Sequence, residues 1–328
     1  MQASRLSIVR SICISTTLVL GAVAPQVHAQ QAFPQKPVDI TVPYPPGGGV
    51  DFMARLISSS MTAAGSTVVV ENKSGAGGTL GARYVAGRPK DGHSLLMMND
   101  AYSLAPAIYK SLGYDPKKDL AAVINVAWAP MLLITASDSK YKSVADVVTA
   151  SRAPNSKVSY GSCGAGTSPH LAGEMMNIAF KIRNTHVPYR GCGPVIVDVL
   201  GGQVEMAFVT ITGAMPHIKS GKMRALAITS GDRSKVVPDV PTMAESGAPG
   251  FNLSQWQALA VPGGTPENVK LEIFETVSKV MKADAIQKKL LELGYSSAND
   301  GPEATQKIVN SDIDRFGKLA KEIGLTVE

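Results

Sequence analysis

Along most of its length this chain repeats one pattern: an apolar run rich in β-branched residues, a glycine-rich turn, then apolar residues at helical spacing. The first unit reads VDITVPY, then PPGGG, then VDFMARLISSSM, where Phe52 with Leu56, and Met53 with Ile57 and Ser60, share helical faces. TVVVEN and KSGAGG follow, with a helix expected from about Thr79 to Ala86, and SLLMMND reads as a third strand. VINVAWAPMLLITA is a long strand or strand pair that carries the chain toward a second lobe. There the pattern returns three times, as KVSYGSCGAGTSPHLAGEMMNIAF, NTHVPYRGCGPVIVDVLGG and VEMAFVTITGAMPHIKSGK. In each, a proline (Pro169, Pro194, Pro216) is expected near the first helical turn, where its missing amide costs nothing. RALAITS returns as a strand, a loop leads to WQALAVP, and helices near 266–283, 284–293 and 302–323 pack back onto the first lobe. Such alternation predicts an α/β protein with parallel strands.

The amino-terminal residues place Arg5 and Arg10 ahead of an apolar run from Ile12 to Ala24 and end on Val27-His28-Ala29. This is the pattern of a cleaved secretory leader over residues 1–29, since the run falls short of the roughly 20 residues that span a bilayer. The mature chain, from Gln30, is then expected in the periplasm. Its roughly 300 residues exceed what one hydrophobic core serves, which predicts two lobes. We place one lobe at 30–134 with 238–328 and the other at 135–237, so the chain crosses twice and leaves a hinged cleft. The net charge of +6 falls to +4 without Arg5 and Arg10, and Lys and Arg are scattered rather than striped, which argues against nucleic acid.

In open α/β sheets, ligands bind at the carboxyl ends of strands, where glycine lets backbone approach and helix amino ends offer unpaired N–H groups to an anion. Three loops fit: Pro45 to Asp51, including Pro46, Gly47, Gly48 and Gly49; Gly161 to His170, with hydroxyls at Ser162, Thr167 and Ser168; and Arg190 to Pro194. Gly164 belongs to the second loop, and Tyr44 and Asn99 close the strands beside the first. A P-loop fails because Thr167 stands where Lys is required, and GAGGTLG has Leu80 where a dinucleotide fingerprint needs its last glycine. His93, His170, His186 and His217 show no paired spacing and the cysteines no CxxC, so neither a metal nor a cofactor is expected. Cys163 or Ser162 with His170 or His186 would form a nucleophile and base, but without the G-x-S-x-G elbow or an acidic orienter.

At these same loops the chain closely resembles the Bug family, the extracytoplasmic solute receptors of tripartite tricarboxylate transporters. The matching segments include PYPPGGGVDFMARL, VVVENKSGAGGTLGARYVA, YGSCGAGTSPHLAGEMM, VPYRGCGPVIVDVLGGQVEMAF and WQALAVPGGTP, in order along nearly the whole mature chain. The resemblance implies a type II periplasmic binding-protein fold, no catalysis, and a carboxylate held by backbone amides and hydroxyls of the loops at 43–51 and 160–170. Arg190 falls where the family has Lys or Arg, either facing the cleft or on the surface. Family members often carry Asp directly after the Phe that is Phe208 here; this chain has Val209, which points away from an amino-acid ligand and toward an aliphatic or aromatic dicarboxylate. Cys163 and Cys192 occupy loop positions where the family has small residues, and either a disulfide or two unlinked thiols suits them. The function expected is capture of a small carboxylate by a monomer that delivers it to membrane subunits. A periplasmic sensor feeding a signalling receptor, and a hydrolase using Ser162 or Cys163, are the alternatives.

Overall fold

The computed structural model describes residues 33–322, 324 and 325, so the leader over 1–29 lies outside the described residues. The chain runs β1 (Val38–Val42), α1 (Gly49–Ala63), β2 (Val68–Asn72), α2 (Thr79–Ala86), β3 (Ser94–Asn99), α3 (Ala101–Ile108) and β4 (Leu120–Ala136). It continues with α4 (Val144–Ser151), β5 (Ser159–Ser162), α5 (Ser168–Phe180), β6 (Thr185–Pro188), α6 (Cys192–Leu200), β7 (Met206–Thr210), α7 (Ile211–Lys219) and β8 (Met223–Ile228). Last come β9 (Ser254–Pro262), α8 (Glu267–Met281), α9 (Asp284–Glu292), β10 (Ser296–Asp300) and α10 (Pro302–Glu322).

One ten-stranded sheet joins them, in the order β2-β1-β3-β9-β4-β7-β5-β6, with β8 and β10 also paired to β4. The glycine-loop units are parallel to their neighbours, β1 with β2 and β3, and β5 with β6 and β7. The expectation of parallel strands throughout is corrected in the middle, where β4 is antiparallel to β7, β8, β9 and β10. β4 is a single strand of 17 residues whose first part, through Pro130, pairs with β9, while Met131 onward pairs with β7 and β8. Pro130 has no amide to give a ladder, so it suits the point where the strand exchanges partners.

Each half of the sheet carries helices on both faces. In the first half Ile40, Met53, Ile57 and Val277 form one buried cluster, and Val85, Leu96, Trp256 and Val309 form another. In the second half, clusters around Tyr160, Leu171 and Phe208 and around Val195, Val209 and Ile211 do the same. Strands covered on both faces read as continuous apolar runs. Thr229, fully buried after β8, ties the crossing segments together: its Oγ1 accepts from Met131 N (2.9 Å) and donates to Leu253 O (2.7 Å).

Two of the three expected first-turn prolines stand there, Pro169 and Pro194, but Pro216 lies inside α7. That helix begins at Ile211, directly off β7, with no glycine loop between, so the proline falls a turn deeper than expected.

Candidate functional site

The β1–α1 loop is shaped by Asp51, which stands in the first turn of α1 and is buried. Its carboxylate accepts from Gly47 N (3.0 Å), from both Nε and Nη2 of Arg55 (3.0 Å each) and from Asn72 Nδ2 (2.9 Å). Burial alone would raise its pKa, but these bonds outweigh it and hold the carboxyl below its ordinary value. With both oxygens engaged, Asp51 braces the loop. Gly47, at φ +90°, makes the turn, and Pro46, Gly47 and Gly48 are exposed. α1 then opens at Gly48 with no side-chain cap, leaving first-turn amides free for an anion. Tyr44 donates to Asn99 Oδ1 (2.7 Å) beneath this loop, and burial pushes its phenol well up, keeping it a donor.

In the second half, the loops after β5 and β6 are bonded covalently. Cys163 and Cys192 form a disulfide, with Cα atoms 4.3 Å apart, and Gly191 N donates to Cys163 O (3.0 Å). Gly164 and Gly191 adopt φ of +144° and +112°, open to glycine and strained for other residues. Thr167 donates to Gly164 O (2.7 Å), so its hydroxyl braces the loop and leaves the amino end of α5 without a side-chain cap. Beneath lie two stacked rings, His170 and His186, with centroids 3.7 Å apart and planes within 9°. His170 Nδ1 accepts from Gly166 N (3.2 Å), and His186 Nε2 lies 2.7 Å from Ser162 Oγ, which also meets the backbone of Gly164. Burial, with His170 as neighbour, pushes His186 down to about 3, and burial also lowers His170, so both rings are neutral supports. His170 and Ser162, expected among the binding residues, are both buried.

The Ser162–His186 distance would suit a nucleophile and base, but Ser162 is fully buried and Cys163 is spent in the disulfide. The chain therefore presents neither as an accessible nucleophile.

Two contacts join the loops of the two halves. Ser168 Oγ, in the first turn of α5, donates to Asp100 Oδ2 (2.6 Å) at the start of α3. Tyr295 Oη accepts from Gln257 Nε2 (3.1 Å) and also bonds the Thr212 side chain in the first turn of α7; a methyl group at Gly49 would stand 2.6 Å from it. The amino ends of α1 and α3 thus meet those of α7 and α5. Asp100 was missed, though it directly follows Asn99 at the carboxyl end of β3; burial pushes it up to about 7, against side-chain bonds from Ser168 and Gln255. His186 had no placing signal in the sequence, and neither did Tyr295. Arg190 is exposed. Val209 pairs with Leu132 inside an apolar cluster with Val195 and Ile211. Among the described residues no group of three or more His, Cys, Asp or Glu could hold a metal, and no helix is long and apolar enough to cross a membrane.

The family model described as "Tripartite tricarboxylate transporter family receptor" matches residues 53–325. The chain belongs to this receptor family. Its members are solute-binding receptors, not enzymes, and the fold is the two-lobed α/β fold of periplasmic binding proteins. The receptor is 34% identical to the periplasmic binding protein BugD, with a TM-score of 0.81 over 90% of this chain and 100% of that one. MatC from Rhodopseudomonas palustris, solved with bound malate, is 30% identical, with a TM-score of 0.79 over 88% of this receptor and 99% of MatC. A second R. palustris protein, solved with adipate, is 30% identical, with a TM-score of 0.83 over 90% and 100% of the two chains.

Proposed function

We propose that this receptor captures a small aliphatic dicarboxylate between its lobes and delivers it, in the periplasm, to the membrane subunits of a tripartite transporter. The observation that carries the reading is the meeting of helix amino ends from both halves, with α1, α5, α6 and α7 all lacking side-chain caps. Such ends suit one carboxylate from each side. Relatives of about this similarity hold malate and adipate, both aliphatic dicarboxylates. An amino acid would also need a carboxylate for its ammonium. Asp51 is saturated by its partners, and Asp100 is buried and bonded by the side chains of Ser168 and Gln255. The lobes that close are those on either side of the partner exchange in β4, within the boundaries at 134 and 238 given above. Residues 1–29 serve as the leader that directs export.

A thermal-shift screen against malate, succinate, adipate, aspartate and acetate tests this. An amino-free dicarboxylate at 100 times its dissociation constant stabilises by about 2.7 kcal/mol, and aspartate and acetate at the same concentration give less. No shift with any dicarboxylate, or the largest shift with aspartate, contradicts the reading.

A further inference from the structure

Where β4 exchanges partners there is also a cavity of about 740 Å³, and none of its lining residues belongs to the loops of the candidate site. Its volume lies in the range that holds small organic ligands. One wall is Trp128 of β4, opposite Trp256 of β9 and Ser296 of β10. Trp128 is half-buried, and among the described residues no hydrogen bond takes its indole N–H, whereas Trp256 is fully buried and donates to Asp312 Oδ2 (2.8 Å). The facing wall is α10, whose Lys307, Ser311 and Arg315 recur every four residues and all line the cavity. Arg315 is held by Asp312 Oδ1 (3.0 Å) and reaches Asn252 O (3.4 Å), and Lys307 is exposed with no ion pair among the described residues. The nearby Arg233 is engaged by Glu245 (2.9 Å) and adds little.

We propose that this cavity is a second ligand site, for a small aromatic carboxylate whose ring stacks on Trp128 while its carboxylate meets Lys307, Ser311 and Arg315. A planar aromatic face beside cations and a hydroxyl, in a cleft of this size, matches that chemistry: offset stacking on the indole orients the ring and leaves the carboxylate at the basic row. Two carboxylates also line the cavity: Asp312 is engaged by Arg315 and the Trp256 indole, and Asp232 directly precedes Arg233 in the sequence. The malate and adipate reading places its ligand elsewhere, so either assignment can fail alone.

Benzoate is the probe, with cyclohexanecarboxylate as the non-aromatic acid of similar size. The chain has two tryptophans, and with Trp256 enclosed the Trp128 indole is the accessible reporter. Benzoate should quench tryptophan fluorescence saturably, and cyclohexanecarboxylate should bind several-fold more weakly by calorimetry. Lys307→Ala, an exposed change on α10, should weaken benzoate several-fold, and Trp128→Leu should abolish its heat, while both variants keep the thermal shift given by malate. Absence of a saturable response, equal binding of the two acids, or an unchanged benzoate affinity in Lys307→Ala would overturn the assignment.

Discussion

Gly48 and Gly164 look equivalent in the sequence, each a glycine in an anion-ready loop, but they ask for different tests. Gly48 has φ −79° and ψ 170°, ordinary extended backbone, and nothing lies within 4 Å of where its Cβ would be. Gly164, at φ +144°, would strain any side chain, and its Cβ would stand 3.2 Å from Tyr189 O. Gly48→Val should therefore keep the parent unfolding midpoint while ligand affinity falls by tenfold or more, roughly the 1.4 kcal/mol that a blocked backbone contact represents; unchanged affinity in the folded variant would remove the β1–α1 loop from the site. His186 supplies a pH test. Its pKa is near 6.5 in the unfolded chain and pushed down to about 3 when folded, so between those values the unfolded state binds more protons. Stability from the neutral ring is thus complete above about 6.5 and is lost as pH falls toward about 3. Denaturant titrations across that window should show the loss, and His186→Gln should flatten it. A parent curve level from pH 7 to 4 would contradict the buried neutral pair. At this scale the sequence reveals the loops but not which side chains face outward: Asp51, Ser162 and His170 have the right chemistry and are turned inward to brace the backbone.

At the scale of elements, strand and helix periods made most of the chain legible, including the three C-terminal helices, because their apolar faces repeat cleanly. Two features escaped. The antiparallel centre of the sheet is set by where β4 and β9 cross between halves, and no local period records strand direction. Pro216 sits inside α7 because a helix can start directly off a strand without glycine. The Cys163–Cys192 disulfide joins the amino end of α6 to the loop before α5 across a separation of 29 residues. By chain entropy such a closure contributes about 3.5 kcal/mol. Replacing both cysteines by serine should lower the unfolding free energy on that order and weaken ligand binding, since two loops of the site lose their shared anchor. Two alkylatable thiols in unreduced periplasmic protein would contradict the bridge.

For the whole molecule, the account rests on two halves that share β4 and converge their helix amino ends on one ligand. Thr229 binds Met131 and Leu253 at the crossing, and the halves also meet through the contacts of Ser168 with Asp100 and of Tyr295 with Thr212 and through the cluster that packs Leu104 and Phe316 with Leu171 and Phe208. The expectation of a two-lobed carboxylate receptor was legible because glycine loops, uncapped helices and the family segments lie in one order along the chain. The ligand itself was not, since backbone amides leave little record in side chains. Titration calorimetry of the mature protein with malate and adipate, alongside aspartate, addresses the central claim directly. The account predicts a single site per chain for at least one of the two dicarboxylates, with micromolar or tighter affinity, and weaker binding of aspartate. Tight aspartate binding with no heat from either dicarboxylate would contradict it.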